Sequence, residues 1–134
     1  MEGEVRGCRV MTRRAGCACG ALEAFCPDMP LRISLCHCLQ CQRRTGSTYG
    51  VAAFFAREDV RISGQSTLYS RPGDSGHAVK FHFCPACGST VFWEPERMPG
   101  LIAVALGAFA DPAFPRPEKQ VYLEHRHGWA APAL

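Results

Sequence analysis

The strongest chemical signal in the sequence is a cysteine pair, Cys84 and Cys87, followed directly by Gly88. Two cysteines separated by two residues on a tight turn can direct both sulfurs at one metal ion, with Zn–S distances of about 2.3 Å. Gly88 supplies a permissive backbone that lets nearby amides approach the sulfurs. Such a turn is usually half of a four-thiolate zinc site, and two unconnected buried thiols are the alternative interpretation.

A second pair, Cys17 and Cys19, followed by Gly20, can complete that site. Side chains two residues apart in an extended segment point to the same side, so both sulfurs can face one ion. This spacing is a weak signal by itself, but opposite the Cys84–Cys87 turn it supplies the two remaining ligands of a closed tetrahedral site. Such a site would join distant parts of the chain and help a domain of short strands to stay compact.

A third group offers three thiolates within one short segment, at Cys36, Cys38 and Cys41. If Cys36 and Cys38 face an ion, the same alternation turns His37 away, and we interpret His37 as a packed or solvent-facing imidazole. Three protein ligands and one open position are the pattern of a catalytic or substrate-binding zinc. Spacing alone leaves another partition open, in which Cys36 or Cys38 pairs with the Cys84–Cys87 turn.

The cysteine content favours metal binding over disulfides, because nine cysteines cannot all pair. The first thirty residues contain no continuous apolar segment of the kind found in export signals. The longest apolar run, residues 101–110, has about half the length that a membrane-spanning helix needs. We therefore expect a cytoplasmic protein, and clustered cysteines in a reducing compartment are more often metal ligands than disulfides.

The balance of charge argues against nucleic acid as a partner. The formal net charge of +3 at pH 7 invites that interpretation. Seven thiolates and two zinc ions would bring the protein to a net charge of about zero, which leaves little long-range attraction for phosphate. The basic residues at 13–14 and 43–44 are also isolated pairs and do not form a stripe.

Length and patterning predict a single, mainly β domain. A chain of 134 residues with 47% hydrophobic residues can bury one core without disulfides. Thirteen glycines and ten prolines make long helices unfavourable. The patterns predict a helical turn at 39–44, a turn at 71–76, and strands at 21–25, 31–35, 51–55, 60–63, 67–70, 78–83, 90–93, 101–105 and 120–124.

The ends of the chain and several single residues carry weaker signals. Residues 1–14 have mixed charge and no periodicity, and we expect a loose leader over 1–11, a domain over 12–130 and a tail over 131–134. Cys8 and Cys26 are expected to be free thiols, and Trp93 and Trp129 to be core or edge aromatics. Four histidines show no convincing ligand spacing: His77, His82, His125 and His127.

Four motifs in this order resemble a known family. They are Gly16-Cys17-x-Cys19-Gly20, Cys36-His37-Cys38-x-x-Cys41, Arg43-x-Thr45-Gly46-Ser47 and Phe83-Cys84-x-x-Cys87-Gly88. Together they resemble the glutathione-dependent formaldehyde-activating enzyme family, which also includes the centromere protein V-like domains. The resemblance covers roughly residues 12–130 and extends to an aromatic-aliphatic strand near 121–123 and to Trp129.

The resemblance implies a zinc-stabilised β-tent fold of short antiparallel strands, and it selects one partition of the cysteines. It implies a structural zinc on Cys17, Cys19, Cys84 and Cys87, and a second, open zinc on Cys36, Cys38 and Cys41. One departure is Gln42, where many relatives carry a basic residue directly after the third cysteine of the central motif.

The implied activity is that of a carbon–sulfur lyase, in which glutathione and formaldehyde join as S-hydroxymethylglutathione. Glutathione or another small thiol would then be the partner, because an open zinc can lower the pKa of an incoming thiol. Arg43 and Arg44 could bind the carboxylates of glutathione, with solvated surface charge as the alternative. The second functional hypothesis is a non-catalytic zinc-binding module that binds a protein or a small thiol.

Overall fold

The computed structural model describes residues 11–73 and 76–130. Residues 1–10 and 131–134, with Cys8, most of the predicted leader and the predicted tail, lie outside this part of the chain. The strands are β1 (Met11–Gly16), β2 (Glu23–Pro27), β3 (Arg32–Cys36), β4 (Gly50–Ala56), β5 (Arg61–Ser63), β6 (Thr67–Pro72), β7 (Ala78–Phe83), β8 (Thr90–Pro95), β9 (Leu101–Ala105) and β10 (Lys119–Val121). One helix, α1 (Leu39–Thr45), and three 3₁₀ turns at Arg57–Asp59, Leu106–Phe109 and Leu123–His125 complete the described elements.

The strands form two sheets. A three-stranded sheet has the order β1-β2-β5, and a seven-stranded sheet has the order β10-β3-β4-β9-β8-β7-β6. The mainly β architecture predicted from the sequence is confirmed. Among the described strand pairs, β10 and β3 are the exception to antiparallel pairing, because they run in parallel.

Three segments differ from the sequence prediction. Residues 11–14 were not expected to be regular, yet they belong to β1, which pairs with β2 and is tied by an ion pair between Arg14 and Glu23 at 3.0 Å. β6 continues to Pro72, into the predicted turn. The strand predicted at 120–124 stops at Val121, because Tyr122 adopts a left-handed backbone conformation with φ 58° and starts a 3₁₀ turn.

The seven-stranded sheet has two apolar faces, because successive side chains of each strand point to opposite sides. Ala53 and Phe55 of β4 pack in the main core together with Leu22 and Ala24 near the small sheet. Phe54, between them, faces the other way and packs in a second cluster with Phe81 and Trp93. The first face therefore joins the two sheets, and the second is free to form the floor of a cavity.

The described helices do not include a segment long and apolar enough to cross a membrane. α1 has seven residues. Two residues separate it from the end of β3, and its own end is fixed by Gly46, which has a left-handed φ of 67° and donates its N–H to the carbonyl of Gln42. This short helix turns the chain back toward β4 and places its residues above the second face of the large sheet.

Candidate metal centres

Four cysteines from two distant loops meet at one point. Cys17 and Cys19 follow β1, and Cys84 and Cys87 follow β7, and their four sulfurs lie within 4.8 Å of one another. The Sγ atoms of Cys17 and Cys19 are 3.7 Å apart, and those of Cys19 and Cys84 are 3.6 Å apart. In a tetrahedral site with Zn–S bonds of about 2.3 Å, neighbouring sulfurs lie about 3.8 Å apart, so the observed spacing fits such a site.

Backbone and hydroxyl groups surround these sulfurs with hydrogen bonds. The N–H of Leu22 donates to Cys17 Sγ at 3.2 Å, and that bond lowers the pKa of Cys17. Hydrogen bonds with Ser89 lower the pKa of Cys87 to about 5. Although the Ala21 N–H acts to lower it, hydrogen bonds with Cys84 and Cys17 raise the pKa of Cys19 to about 11.

These opposite shifts follow from crowding, since four neighbouring sulfurs cannot all ionise without a cation between them. A divalent metal ion removes that conflict, and N–H donors to the sulfurs stabilise them as thiolates. The predicted four-cysteine group therefore comes together as a closed set that could hold a metal ion. Gly88 has a left-handed φ of 82° and donates its N–H to the carbonyl of Cys84 at 2.8 Å, which closes the turn in which the N–H of Cys87 lies 3.5 Å from Cys84 Sγ.

The second group lies at the junction of β3 and α1. Cys36 ends β3, Cys38 is the N-cap residue of α1, and Cys41 lies in its first turn. The three sulfurs lie within 4.8 Å of one another, and Cys38 Sγ accepts a hydrogen bond from the N–H of Cys41 at 3.3 Å. The group offers three soft ligands on one short segment, which is also a set that could hold a metal ion.

Hydrogen bonds between the thiols of this group shift their pKa values in opposite directions. Hydrogen bonds with Cys36 and Cys38 and the charge of Arg44 lower the pKa of Cys41 to about 6. The hydrogen bond with Cys41, together with burial, raises the pKa of Cys36. The alternative partition, in which Cys36 or Cys38 joins the Cys84–Cys87 turn, does not match the observed grouping.

The three-cysteine group opens onto a cavity of about 520 Å³ above the second face of the large sheet. Phe54, Phe81 and Trp93 form an aromatic floor. The four-cysteine group does not line this cavity. The two cysteine groups therefore differ in access as well as in ligand number.

The predicted pair Arg43 and Arg44 separates in the structure. Both line the cavity, but Arg43 is exposed, whereas the Arg44 guanidinium lies 4.3 Å from the Trp93 ring centroid. Arg44 Nε is buried and has no hydrogen-bond partner among the described residues. Three further arginines, for which the sequence predicted no role, line the same cavity: Arg32, Arg71 and Arg97.

His37 was predicted to be either packed or solvent-facing, and the structure shows that it is packed. Its side chain is fully buried, its Nε2 lies 2.7 Å from Gln120 Oε1, and its ring meets Tyr49 edge-on. Gln42, the departure from the family pattern, points away from the cavity. Its Nε2 donates to the carbonyls of His37 at 2.9 Å and His125 at 3.1 Å, so it fixes the segment after β10 against α1.

The structure also describes one further cysteine and the two tryptophans. Cys26 is a buried free thiol outside both groups, and burial raises its pKa to about 12. Trp93 is buried, as expected of a core aromatic, but it is also part of the cavity floor. Trp129 was expected to be a core or edge aromatic, and its relative exposure of 79% excludes the core position.

The fold and the two cysteine groups define a class of small β domains with two candidate metal sites, one closed and one open to a cavity. Residues 12–125 match the family described as glutathione-dependent formaldehyde-activating enzyme. The chain therefore belongs to that family. Its fold is also similar to the crystal structure of a Rhodobacter sphaeroides protein, with a TM-score of 0.57 and 26% sequence identity over 71% of this chain and 85% of that chain. No curated protein matches the chain.

Proposed function

We propose that the protein is a zinc-dependent carbon–sulfur lyase that binds glutathione and joins its sulfur to formaldehyde as S-hydroxymethylglutathione. The observation that carries the proposal is the clustering of three sulfurs, and not four, at the wall of a cavity large enough for a small peptide. Membership of the family supports glutathione and formaldehyde as the reactants.

Zinc is the metal that the ligands favour, because sets of three or four thiolates are typical of zinc sites in proteins. In this proposal Cys17, Cys19, Cys84 and Cys87 hold a structural zinc, and Cys36, Cys38 and Cys41 hold a second one. The second ion would supply an open coordination position that favours the thiolate form of an incoming thiol. The reducing cytoplasm, where cysteines stay available to metals, is the proposed compartment.

The residues around the three-cysteine group would bind the substrate and compensate its charge. Three thiolates outweigh a divalent ion by one negative charge, and Arg44 is the cation that contacts Cys41 directly. Arg43 lies exposed at the rim of the cavity and is placed to meet a carboxylate that enters from solvent. Formaldehyde needs little binding surface, so proximity to a held thiolate would account for most of the acceleration.

Calorimetric titration of the zinc-loaded protein with glutathione and with S-methylglutathione tests the proposal. A thioether is a poor zinc ligand beside a thiolate, so we expect S-methylglutathione to bind at least tenfold more weakly. Adduct formation from glutathione and formaldehyde, followed by NMR, should be faster with the wild type than with Cys41→Ser. Cys26→Ser is the matched control, because Cys26 belongs to neither group.

Three results would contradict parts of the proposal. Equal affinity for thiol and thioether would exclude the metal from glutathione binding. No binding of either ligand at millimolar concentration would favour the non-catalytic module. Tight thiol binding without faster adduct formation would retain the thiol site and reject formaldehyde as the second reactant.

A further inference from the structure

Arg32 has an unusual environment for a cation. It begins β3 and lies in register with Phe54 of β4, and its guanidinium carbon is 4.7 Å from the Phe54 ring centroid. Its Nη2 lies 3.0 Å from Met98 Sδ, which is a weak acceptor. Its Nε is buried and has no hydrogen-bond partner among the described residues. Arg32 as a whole is half-buried, and a guanidinium whose Nε is desolvated and unpaired is costly unless an anion reaches it.

The cavity around Arg32 carries a large excess of positive charge. Six cationic side chains line it: Arg32, Arg43, Arg44, Arg71, Arg97 and Lys119. Of the described residues that line it, Glu96 alone is acidic, and its Oε1 already accepts a hydrogen bond from the N–H of Ala78 at 3.0 Å. Low-dielectric walls strengthen the field of such a cluster, so the cavity favours a ligand with more than one negative charge.

The cations divide between two places. The guanidinium groups of Arg44 and Arg71 both lie over Phe81, at 5.7 Å and 5.3 Å from its ring centroid. Arg44 of this pair contacts Cys41 and so lies beside the three-cysteine group. Arg32 lies at the other end of the cavity wall that β3 forms.

The register of the sheet gives the distance between these places. Arg32 and Cys36 lie on the same face of β3, because both line the cavity and they are four residues apart. At about 3.3 Å per residue, their Cα atoms are about 13 Å apart. Phe54 and Trp93 share a row across the sheet through Ala103, so the rings under Arg32 and Arg44 are anchored about 10 Å apart at the usual strand spacing.

We propose that Arg32 and Phe54 form a second anion subsite, which selects elongated thiols that carry a carboxylate on the order of 10 Å from the sulfur. The inference rests on the proposed function, because it places the thiol at the three-cysteine group. In glutathione the longer arm, the γ-glutamyl group, reaches this subsite. A thiol of the size of cysteine is too short to occupy both places.

The test compares Arg32→Gln with the wild type in calorimetric titrations with three thiols: glutathione, γ-glutamylcysteine and cysteinylglycine. The variant should bind the two γ-glutamyl thiols about tenfold or more weakly, as expected for the loss of one charge-assisted carboxylate contact. Cysteinylglycine lacks the longer arm, and its affinity should change less than about twofold between the two proteins. Arg32→Lys keeps the charge without the planar fork and should give an intermediate loss.

Arg61→Gln is the matched control, since the Arg61 guanidinium stacks on Phe25 at 4.3 Å but lies outside the cavity. It removes the same charge and should leave all three affinities unchanged. Thermal melts of each variant verify that the domain is folded. Unchanged glutathione binding by Arg32→Gln, or an equal loss for cysteinylglycine, would overturn the subsite.

A thiol-free peptide, γ-glutamyl-α-aminobutyryl-glycine, separates this inference from the proposed function. It keeps both carboxylates and cannot bind a metal through sulfur. If the wild type binds it as tightly as glutathione, the role of the metal fails, while a loss in Arg32→Gln would still support the subsite. If it binds more weakly than glutathione, and Arg32→Gln does not weaken glutathione, the subsite alone fails.

Discussion

The two cysteine groups use the same ligand atom in different structural settings. The four-cysteine group joins loops that follow β1 and β7, and Cys19 and Cys84 are 65 residues apart in the chain. The three-cysteine group is confined to the end of β3 and the first turn of α1. A cross-link between distant segments restricts the unfolded chain far more than a local one, so the first group should dominate stability.

The surroundings of the groups differ in the same sense. Cys17 and Cys84 are buried against the main core, whereas the three-cysteine group has no member of that core and opens onto the cavity. Cations also distinguish them, because Arg44 contacts Cys41. Ligand number, contact with the main core and charge are the grounds on which we propose a stabilising role for one group and a binding role for the other.

The largest effect should follow from Cys87→Ser. Cys87 is exposed, so its replacement removes a proposed metal ligand without opening a core cavity, and closed zinc sites contribute directly to folding. The loss should approach the whole stability of a small domain, about 5 kcal/mol or more. Circular dichroism should show no cooperative melt. Cys26→Ala, a buried cysteine outside both groups, should still melt cooperatively, and a cooperative Cys87→Ser would contradict the stabilising role.

Gly64→Ala should have the next largest effect on stability. A Cβ at Gly64 would lie 2.0 Å from the carbonyl oxygen of Ala21, in the loop after Cys19, and Gly64 has a φ of 95°. Backbone strain and overpacking together should cost about 2–4 kcal/mol in the free energy of unfolding. Denaturant titration measures this cost. Gly107→Ala, where a Cβ meets nothing within 4 Å, is the control, and equal stabilities of the two variants would refute the close approach.

Cys41→Ser should destabilise the fold less than Cys87→Ser does, but it should strongly weaken glutathione binding. The group is local in sequence, so we expect a loss of about 1–3 kcal/mol with a cooperative melt retained. Elemental analysis should give one zinc per chain in place of two, and glutathione binding should fall at least tenfold. A variant that unfolds as completely as Cys87→Ser would show that the roles of the two groups are reversed.

Gly50→Ala should have the smallest effect on stability. A Cβ at Gly50 would lie 2.8 Å from Arg44 Nη2 and 3.5 Å from the Cβ of Cys41. Because the end of the Arg44 side chain can move, the free energy of unfolding should change by less than about 1 kcal/mol. Displacement of Arg44 should weaken glutathione severalfold, with two zinc ions retained. Unchanged affinity would exclude Arg44 from the binding site.

The sequence was most informative where the determining contacts are local. The spacing of Cys36, Cys38 and Cys41 predicts their grouping, because alternation in β3 and one helical turn bring their sulfurs together. The grouping of Cys17 and Cys19 with the Cys84–Cys87 turn could be predicted because each pair supplies two of the four ligands that a closed site needs. These residues are distant in the chain, but the prediction depends on ligand chemistry and not on the register of strands.

The cavity could not be predicted in the same way. Arg32, Phe54 and Trp93 come from three strands that are distant in the chain, and only the pairing of β3, β4, β9 and β8 places them in one row. β1 escaped prediction for a related reason. Its residues have no apolar alternation strong enough to indicate a strand, and pairing with β2 determines their conformation.

Cadmium NMR of the protein loaded with two cadmium ions tests the central claim most directly, because cadmium is a thiolate-seeking substitute for zinc whose resonance reports the ligands of each site separately. The assignment of a closed and an open group predicts two signals, of which Cys41→Ser removes or shifts only one. Addition of glutathione should shift that same signal and leave the other in place. A single signal, or a response to glutathione at the signal that Cys41→Ser leaves unchanged, would contradict the assignment.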